Sequence, residues 1–268
     1  MPSTSDKPAI EPTITADDVW VRFLIRYHRS EVTMRETFVR LLDLFSRNGK
    51  EKSDRWRQEF WALRGINLTV YPGDVVALVG RNGSGKTTLL KALAGICAAD
   101  RGRVTVRGKV GCLLSFGVGF NGNLSGRENI FLNGSILGLR QREIASRLDG
   151  IIDFSELGNF IDAPVRTYSA GMKGRLGFAI AVNIDPDVLL LDEVLTVGDA
   201  AFRAKAGSIL DEFRSQNKTV VIATHSMHLA RTTCNRAVWI DRGEVRLDGD
   251  PETVTDAYIE QSEAAKKT

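Results

Sequence analysis

The sequence predicts an α/β fold in which a helical block interrupts a parallel-sheet core. Apolar runs at 74–79, 188–191 and 219–223 are typical of strands buried on both faces. Between the first two runs, residues 125–183 carry helical patterns and no convincing strand. Wholly apolar strands separated by helices are the pattern of a parallel sheet.

The N-terminal part changes period twice. Residues 1–12 are polar with three prolines, which predicts a flexible tail, and the alternating apolar residues of 13–27 predict a strand. Residues 31–46 have the spacing of an amphipathic helix, followed by a charged connection at 47–58. This helix would either cap a core or rest its apolar face on a membrane partner or the lipid interface, and the sequence leaves the choice open.

The remaining elements follow from periodicity and turn residues. Alternation from Phe60 to Val70 predicts a strand that ends at a turn, and residues 237–247 predict a hairpin around 241–243. Asp250 would cap a closing helix that begins at Pro251, ahead of a polar tail at 261–268. Further strands are predicted at 103–106 and 110–114, and helices at 126–137, 141–153, 155–160 and 170–183.

Composition limits the class of protein. The 268 residues are 43% hydrophobic and 26% charged, which predicts a globular chain with a sizeable core. A net charge of +3 is too balanced to indicate a nucleic-acid partner. The three cysteines show no paired spacing and are expected as reduced, buried residues of a cytosolic protein. We expect neither a signal peptide nor a membrane-spanning segment.

The segment 80–87 fits the pattern G-x-x-x-x-G-K-[ST], between the strand at 74–79 and a helical pattern at 88–94. This arrangement directs backbone N–H groups and a helix N-terminus to one point, where a polyphosphate can bind. Lys86 would reach the β- and γ-phosphates, and the Thr87 hydroxyl would bind Mg²⁺. The flanking elements disfavour the alternative, a glycine-rich turn that matches by chance. The residues assigned to the nucleotide are Gly80, Asn82, Gly83, Ser84, Gly85, Lys86, Thr87 and Thr88.

Polar residues end two apolar strands. Asp192 and Glu193 follow 188–191, and His225 follows 219–223. Ligands bind at the carboxyl ends of parallel strands, so these side chains should lie beside the phosphates. Asp192 would hold Mg²⁺, Glu193 would deprotonate the attacking water, and His225 would contact the γ-phosphate. The alternatives are a solvated turn after the strand and an ordinary polar histidine.

A second helix start lies at 168–175, where Ser169 has the position of an N-cap. It is either an ordinary helix start or a second anion-binding N-terminus. One nucleotide cannot easily use both N-termini of one chain. The presence of two such N-termini in one chain therefore suggests that a second copy of the protein supplies this one across a dimer interface.

In order and spacing, these motifs resemble the nucleotide-binding subunit of an ATP-binding-cassette (ABC) transporter over about 13–260. The resemblance implies a phosphate-loop NTPase with a RecA-like parallel-sheet core, an antiparallel β subdomain and a helical subdomain at 116–183. By position, Phe23 would stack on adenine, and Asp199 would belong to the D-loop that crosses the dimer interface. Residues Ser169, Ala170, Gly171 and Met172 match the signature motif that binds the γ-phosphate held by the partner chain.

Finer features resemble a subfamily. Segments 121–130, 167–173 and 197–202 are similar to polysaccharide and polyol-phosphate exporters, and 175–189 is most similar to teichoic acid exporters. Some exporters of O-antigen carry a carbohydrate-binding domain after the cassette, which we do not expect here.

There are departures from the family pattern. Ser115 stands at the position of the Q-loop glutamine, which puts the usual contact to Mg²⁺ and water in doubt. Ala170 and Met172 replace the Gly and Gln of the general signature, and Val194 replaces a common proline.

The resemblance therefore implies an ATPase that uses ATP and Mg²⁺, forms a homodimer and joins a separate transmembrane permease, present in two copies. Its place would be the cytoplasmic face of the membrane, and its exported substrate a lipid-linked polymer. We expect wall teichoic acid, with O-antigen or capsular polysaccharide as the alternative. A cassette ATPase that acts on nucleic acid or ribosomes is the rival from another class. It is disfavoured because the chain has neither a second cassette nor a long coiled-coil insertion nor zinc-type cysteine pairs.

Overall fold

The computed structural model describes residues 11–26, 57–114, 119–193 and 199–264. The helix expected at 31–46 lies outside these ranges, as do most of the N-terminal tail and the last four residues. Among the described residues, no helix combines the length and the hydropathy that crossing a bilayer requires.

The described part of the chain forms nine β-strands and seven α-helices. The strands are β1 (Ile14–Arg26), β2 (Arg57–Val70), β3 (Val75–Val79), β4 (Arg101–Val106), β5 (Val110–Leu114), β6 (Val188–Asp192), β7 (Thr219–Ala223), β8 (Arg236–Asp241) and β9 (Glu244–Gly249). The α-helices are α1 (Lys86–Leu93), α2 (Gly126–Ile136), α3 (Gln141–Ser155), α4 (Ala170–Asn183), α5 (Ala200–Ser215), α6 (Met227–Thr233) and α7 (Pro251–Ala264).

A six-stranded sheet forms the centre, in the order β5-β6-β7-β3-β8-β9. The strands are parallel except for β9, which returns antiparallel to β8. Every residue of β3, β6 and β7 is buried, because helices cover both faces of the sheet. The α/β fold and the predicted hairpin are therefore confirmed.

A smaller antiparallel sheet, in the order β2-β1-β4, packs against the central one. Helix α1 lies between the two sheets, since Leu89, Leu90 and Leu93 share one apolar core with residues of β1, β2 and β3. The opposite face of the central sheet is covered by α4, α5, α6 and α7. The phosphate loop before α1 is thus placed where both sheets meet.

The helical block has a core of its own, built on Ile130, Ile144 and Leu176.

Two sequence expectations are wrong in detail. The helix predicted at 155–160 does not form, because Glu156 and Gly158 have φ values of 55° and 53° and interrupt α3; a 3₁₀ helix follows at Gly158–Asp162. Strand β2 begins at Arg57, within the predicted connection, because it pairs with β1 as far as Arg26.

Candidate nucleotide-binding site

The loop between β3 and α1 admits only glycine at its two ends. At Gly80, with φ 149°, an added Cβ atom would lie 2.2 Å from the carbonyl oxygen of Ile240. At Gly85, with φ 116°, it would lie 2.8 Å from the carbonyl oxygen of Ala62. Both approaches are shorter than a Cβ tolerates, so any side chain would displace the loop from its neighbours.

The N-terminus of α1 is open to an anion. Gly85 is its N-cap, and no side chain makes a capping hydrogen bond there. The first N–H groups of a helix have no partner within the helix. Those of Lys86, Thr87 and Thr88 are therefore available, and the helix dipole adds partial positive charge at the same point.

Lys86 is buried at the start of this helix and turns its ammonium group back to the loop. Its Nζ donates to the carbonyl oxygens of Gly80 and Arg81, at 2.7 and 3.1 Å. Burial lowers the pKa of this ammonium group, while the charges of Glu193 and Asp192 oppose that change. The cation is held where a triphosphate would lie, and its partners are neutral carbonyls that an anion can replace.

Strand register brings the predicted carboxylates to the loop. Asp192 lies opposite Ala223 of β7, which in turn lies opposite Leu78, two residues before Gly80. Asp192 is 6% exposed, and burial raises the pKa of its carboxyl group, although the Thr87 hydroxyl donates a hydrogen bond to it. A hydroxyl and a carboxylate in contact are the hard oxygen ligands that Mg²⁺ prefers, so the residues present fit this ion.

Glu193 follows Asp192 in a left-handed backbone conformation, with φ 56°. This conformation is uncommon outside glycine and is held by the N–H group of Glu193, which donates to the carbonyl oxygen of Ala223 at 2.9 Å. The carboxylate Oε1 of Glu193 lies 3.3 Å from Nδ1 of His225, which ends the next strand. The two predicted catalytic side chains are thus direct neighbours.

A cleft of about 470 Å³ extends from these groups along the loop. Of the predicted residues, Gly80, Ser84 and His225 do not line it; Ser84 Oγ is buried without a hydrogen-bond partner. The cleft is lined by Phe23, Phe60, Ala62, Asn82, Gly83, Gly85, Lys86, Thr87, Thr88, Asp192 and Glu193.

The segment compared with the signature motif lies in a different cleft, of about 300 Å³. Ser169 caps α4 by accepting a hydrogen bond from the N–H of Met172 at 3.2 Å, and both residues line this cleft with Gly171. Ala170 is exposed but does not line it. The two clefts have no lining residue in common.

Arg175 connects the second cleft to α5. It lines the cleft, pairs with Asp199, and lies 3.4 Å from Glu156. Asp199 also caps α5 through the N–H of Phe202, and this hydrogen bond is the main reason why its pKa is lowered.

Sequence reasoning assigned no role to Arg175, Glu156 or Phe60. Arg175 stood within the segment 168–175, but its partners are distant in sequence. Phe60 carried no spacing signal, because the 30 residues from 27 to 56 separate its strand, β2, from the pairing strand, β1. Ser115, at the Q-loop position, lies outside the described residues, as do 194–198.

The similarity to known proteins extends over most of the chain. Residues 63–196 match the family described as ABC transporter. The O-antigen export system ATP-binding protein RfbB of Myxococcus xanthus is 50% identical over 199 residues, which are 74% of this chain and 46% of that protein. RfbB of Klebsiella pneumoniae is 43% identical over 75% of this chain and 82% of its own length.

The teichoic acids export ATP-binding protein TagH of Lactococcus lactis is 43% identical over 80% of this chain. The chain spans about half the length of this relative and of the Myxococcus protein, at 45% and 46%. Among solved structures, a dimeric ATP-binding cassette, MJ0796, in a post-hydrolysis state with ADP and phosphate superposes with a TM-score of 0.67 at 20% identity. The superposition covers 89% of this chain and 98% of the MJ0796 chain, so the two chains share a fold.

The buried carboxyl group of Asp192 leads to a prediction about stability. Because its folded-state pKa is raised, the folded protein binds this proton more tightly than the unfolded chain does. Stability is then lost as the pH rises from the ordinary Asp pKa through the raised one, and the ionised group destabilises the nucleotide-free protein at neutral pH. Asp192→Asn should therefore raise the melting temperature at neutral pH, with a gain that vanishes below about pH 4.

The control is Asp211→Asn, which changes an exposed carboxylate on α5. Thermal unfolding of both variants across this pH range, without nucleotide, measures the effect. A lower melting temperature of Asp192→Asn at neutral pH would contradict the interpretation.

Proposed function

The chain belongs to the ABC transporter family, and from this premise we propose that it is the ATP-hydrolysing subunit of an exporter. It would work on the cytoplasmic face of the membrane, bound to a separate membrane-embedded permease. The observation that carries the proposal is that one chain presents two anion-ready helix N-termini, at Lys86 and Ala170, in clefts that share no residue.

The separation of the clefts favours a dimer. Ser169 and Gly171 line the second cleft and not the one beside the loop 80–87, so a triphosphate on this loop would not contact them in the same chain. A second copy related by a two-fold axis would bring its own Ser169 and Gly171 to the terminal phosphate, and the same contact would repeat on the other side. Two nucleotides would then be held between two chains.

Each chain would contribute a defined set of groups to hydrolysis. The N–H groups of the loop and the Lys86 ammonium bind and orient the triphosphate, and Thr87 with Asp192 would hold Mg²⁺. The ion would supply charge neutralisation at the β- and γ-phosphate oxygens. Glu193 would accept the proton of a water placed in line with the terminal phosphate. His225, whose Nδ1 lies 3.3 Å from the Glu193 carboxylate, would hold that carboxylate in position and contact the same phosphate.

ATP would favour the closed dimer because only the closed state lets both chains contact it. Cleavage removes the phosphate that the two chains share, and the dimer then opens. This alternation would drive the permease, through the helical block that carries Ser169.

For the exported polymer we propose a lipid-linked wall teichoic acid, on the likeness of 175–189 to teichoic acid exporters and the 43% identity with TagH. O-antigen export is the second candidate, favoured by the 50% identity with the Myxococcus protein. The two substrates differ in chemistry, since teichoic acid carries phosphate in its repeating unit.

The polymer is identified by depletion of this chain in its own cells. A blocked exporter leaves its lipid-linked substrate inside, and we predict that the accumulated polymer contains phosphate in each repeat. The measurement is the phosphorus-to-sugar ratio of the lipid-linked fraction, with cells that retain the chain as the control. A phosphate-free polysaccharide would contradict teichoic acid and support O-antigen export.

Glu193→Gln tests the proposed base. The amide keeps the size of the side chain but cannot accept the proton, so ATP turnover should fall at least about 100-fold. ATP affinity should be unchanged, and the ATP-bound dimer should persist in size-exclusion chromatography. The matched control is Glu260→Gln, which changes an exposed carboxylate on α7 that does not line the cleft. Turnover within a few-fold of the unmodified protein would remove Glu193 from the mechanism.

A further inference from the structure

Two phenylalanines on β1 and β2 line the cleft that contains the phosphate loop. Phe23 and Phe60 are direct cross-strand partners in the antiparallel register of β1 and β2. Direct partners project from the same face of a sheet, with Cβ atoms roughly 5 Å apart. Both side chains line the cleft, so they form one aromatic wall.

This wall is left open by the protein itself. Phe23 is 45% exposed and Phe60 is 47% exposed. Neither ring makes an aromatic contact within the part of the chain that the structure describes, although Trp20 and Trp61, on the same two strands, pair edge to face at 5.5 Å. Large exposed aromatic faces in a cleft are the usual feature of a binding surface.

Strand β2 links the wall to the phosphate loop. Ala62 lines the same cleft two residues beyond Phe60, and its carbonyl oxygen is the group that Gly85 approaches. Two residues of a strand span roughly 6.7 Å, a distance that a ribose can bridge. A nucleotide whose phosphates lie on the loop would therefore place its base over the two rings.

We propose that Phe60 is a second base-stacking residue, which extends the platform of Phe23 so that a purine lies across both rings. This inference rests on the proposed function, because it concerns the same nucleotide. At this end of the cleft the described lining side chains are those of Phe23, Phe60 and Ala62, which offer no hydrogen-bonding group. The base is recognised by its stacking area, so the wider purine ring gains more from Phe60 than a pyrimidine does.

The test is the affinity of the full chain for three probes: ATP, CTP and inorganic tripolyphosphate, measured by equilibrium dialysis. Phe60→Ala should weaken ATP binding roughly tenfold, within the range of base–aromatic stacking. It should weaken CTP binding less and leave tripolyphosphate, which has no base, unchanged. Phe60→Trp should bind ATP as well as the unmodified protein does.

The matched control is Leu24→Ala, because Leu24 is 51% exposed on β1, beside Phe23, and does not line the cleft. Unchanged ATP affinity of Phe60→Ala would overturn the proposal. Equal weakening of ATP and tripolyphosphate would overturn it too, since Phe60 would then support the loop and not the base. An unmodified chain that binds neither ATP nor tripolyphosphate would overturn the proposed function as well.

Discussion

The close approach of backbone to backbone around the phosphate loop is the constraint on which the rest of the structure depends. The loop is held between Ile240 at the end of β8 and Ala62 in β2, with no room for a side chain at Gly80 or Gly85. The hairpin turn locks the same point, because the N–H of Gly243 donates to the carbonyl oxygen of Ser84 at 2.8 Å. Both sheets must therefore be in place for the loop to adopt its shape.

The groups around this loop work against stability when no nucleotide is present. Burial disfavours the charged forms of both Lys86 and Asp192, and Glu193 is held in a strained backbone conformation. A polyanion with its cation would compensate both charges at once. Part of the free energy of nucleotide binding would therefore come from relieving the unfavourable burial of these two charges in the free protein. Such a loss of stability is a common cost of a functional site.

The parts of the site that the sequence predicted are those whose signals are contiguous. The loop 80–87 with its strand and helix, and the carboxylates after 188–191, each depend on one continuous stretch of the chain, 74–94 and 188–193. Of the wall formed by Phe23 and Phe60, only Phe23 was assigned from the sequence. The position of Phe60 depends on the pairing of β1 with β2 across residues 27–56. Likewise, the helix expected at 155–160 is absent because Glu156 ends α3 in a left-handed conformation, although glutamate by itself favours a helix.

The central claim, that each nucleotide is bound by two chains, is tested by mixing two inactive variants. Lys86→Ala disables the loop, and Gly171→Asp places a carboxylate against the terminal phosphate. The Asp side chain has space at position 171, because its Cβ atom would lie 3.7 Å from the nearest atom, Ser169 Oγ. Each variant alone should lack ATPase activity. A mixed dimer keeps one intact site, so the mixture should recover up to about a quarter of the unmodified activity. Mixed dimers that form, as shown by two affinity tags, yet remain inactive would contradict the shared site.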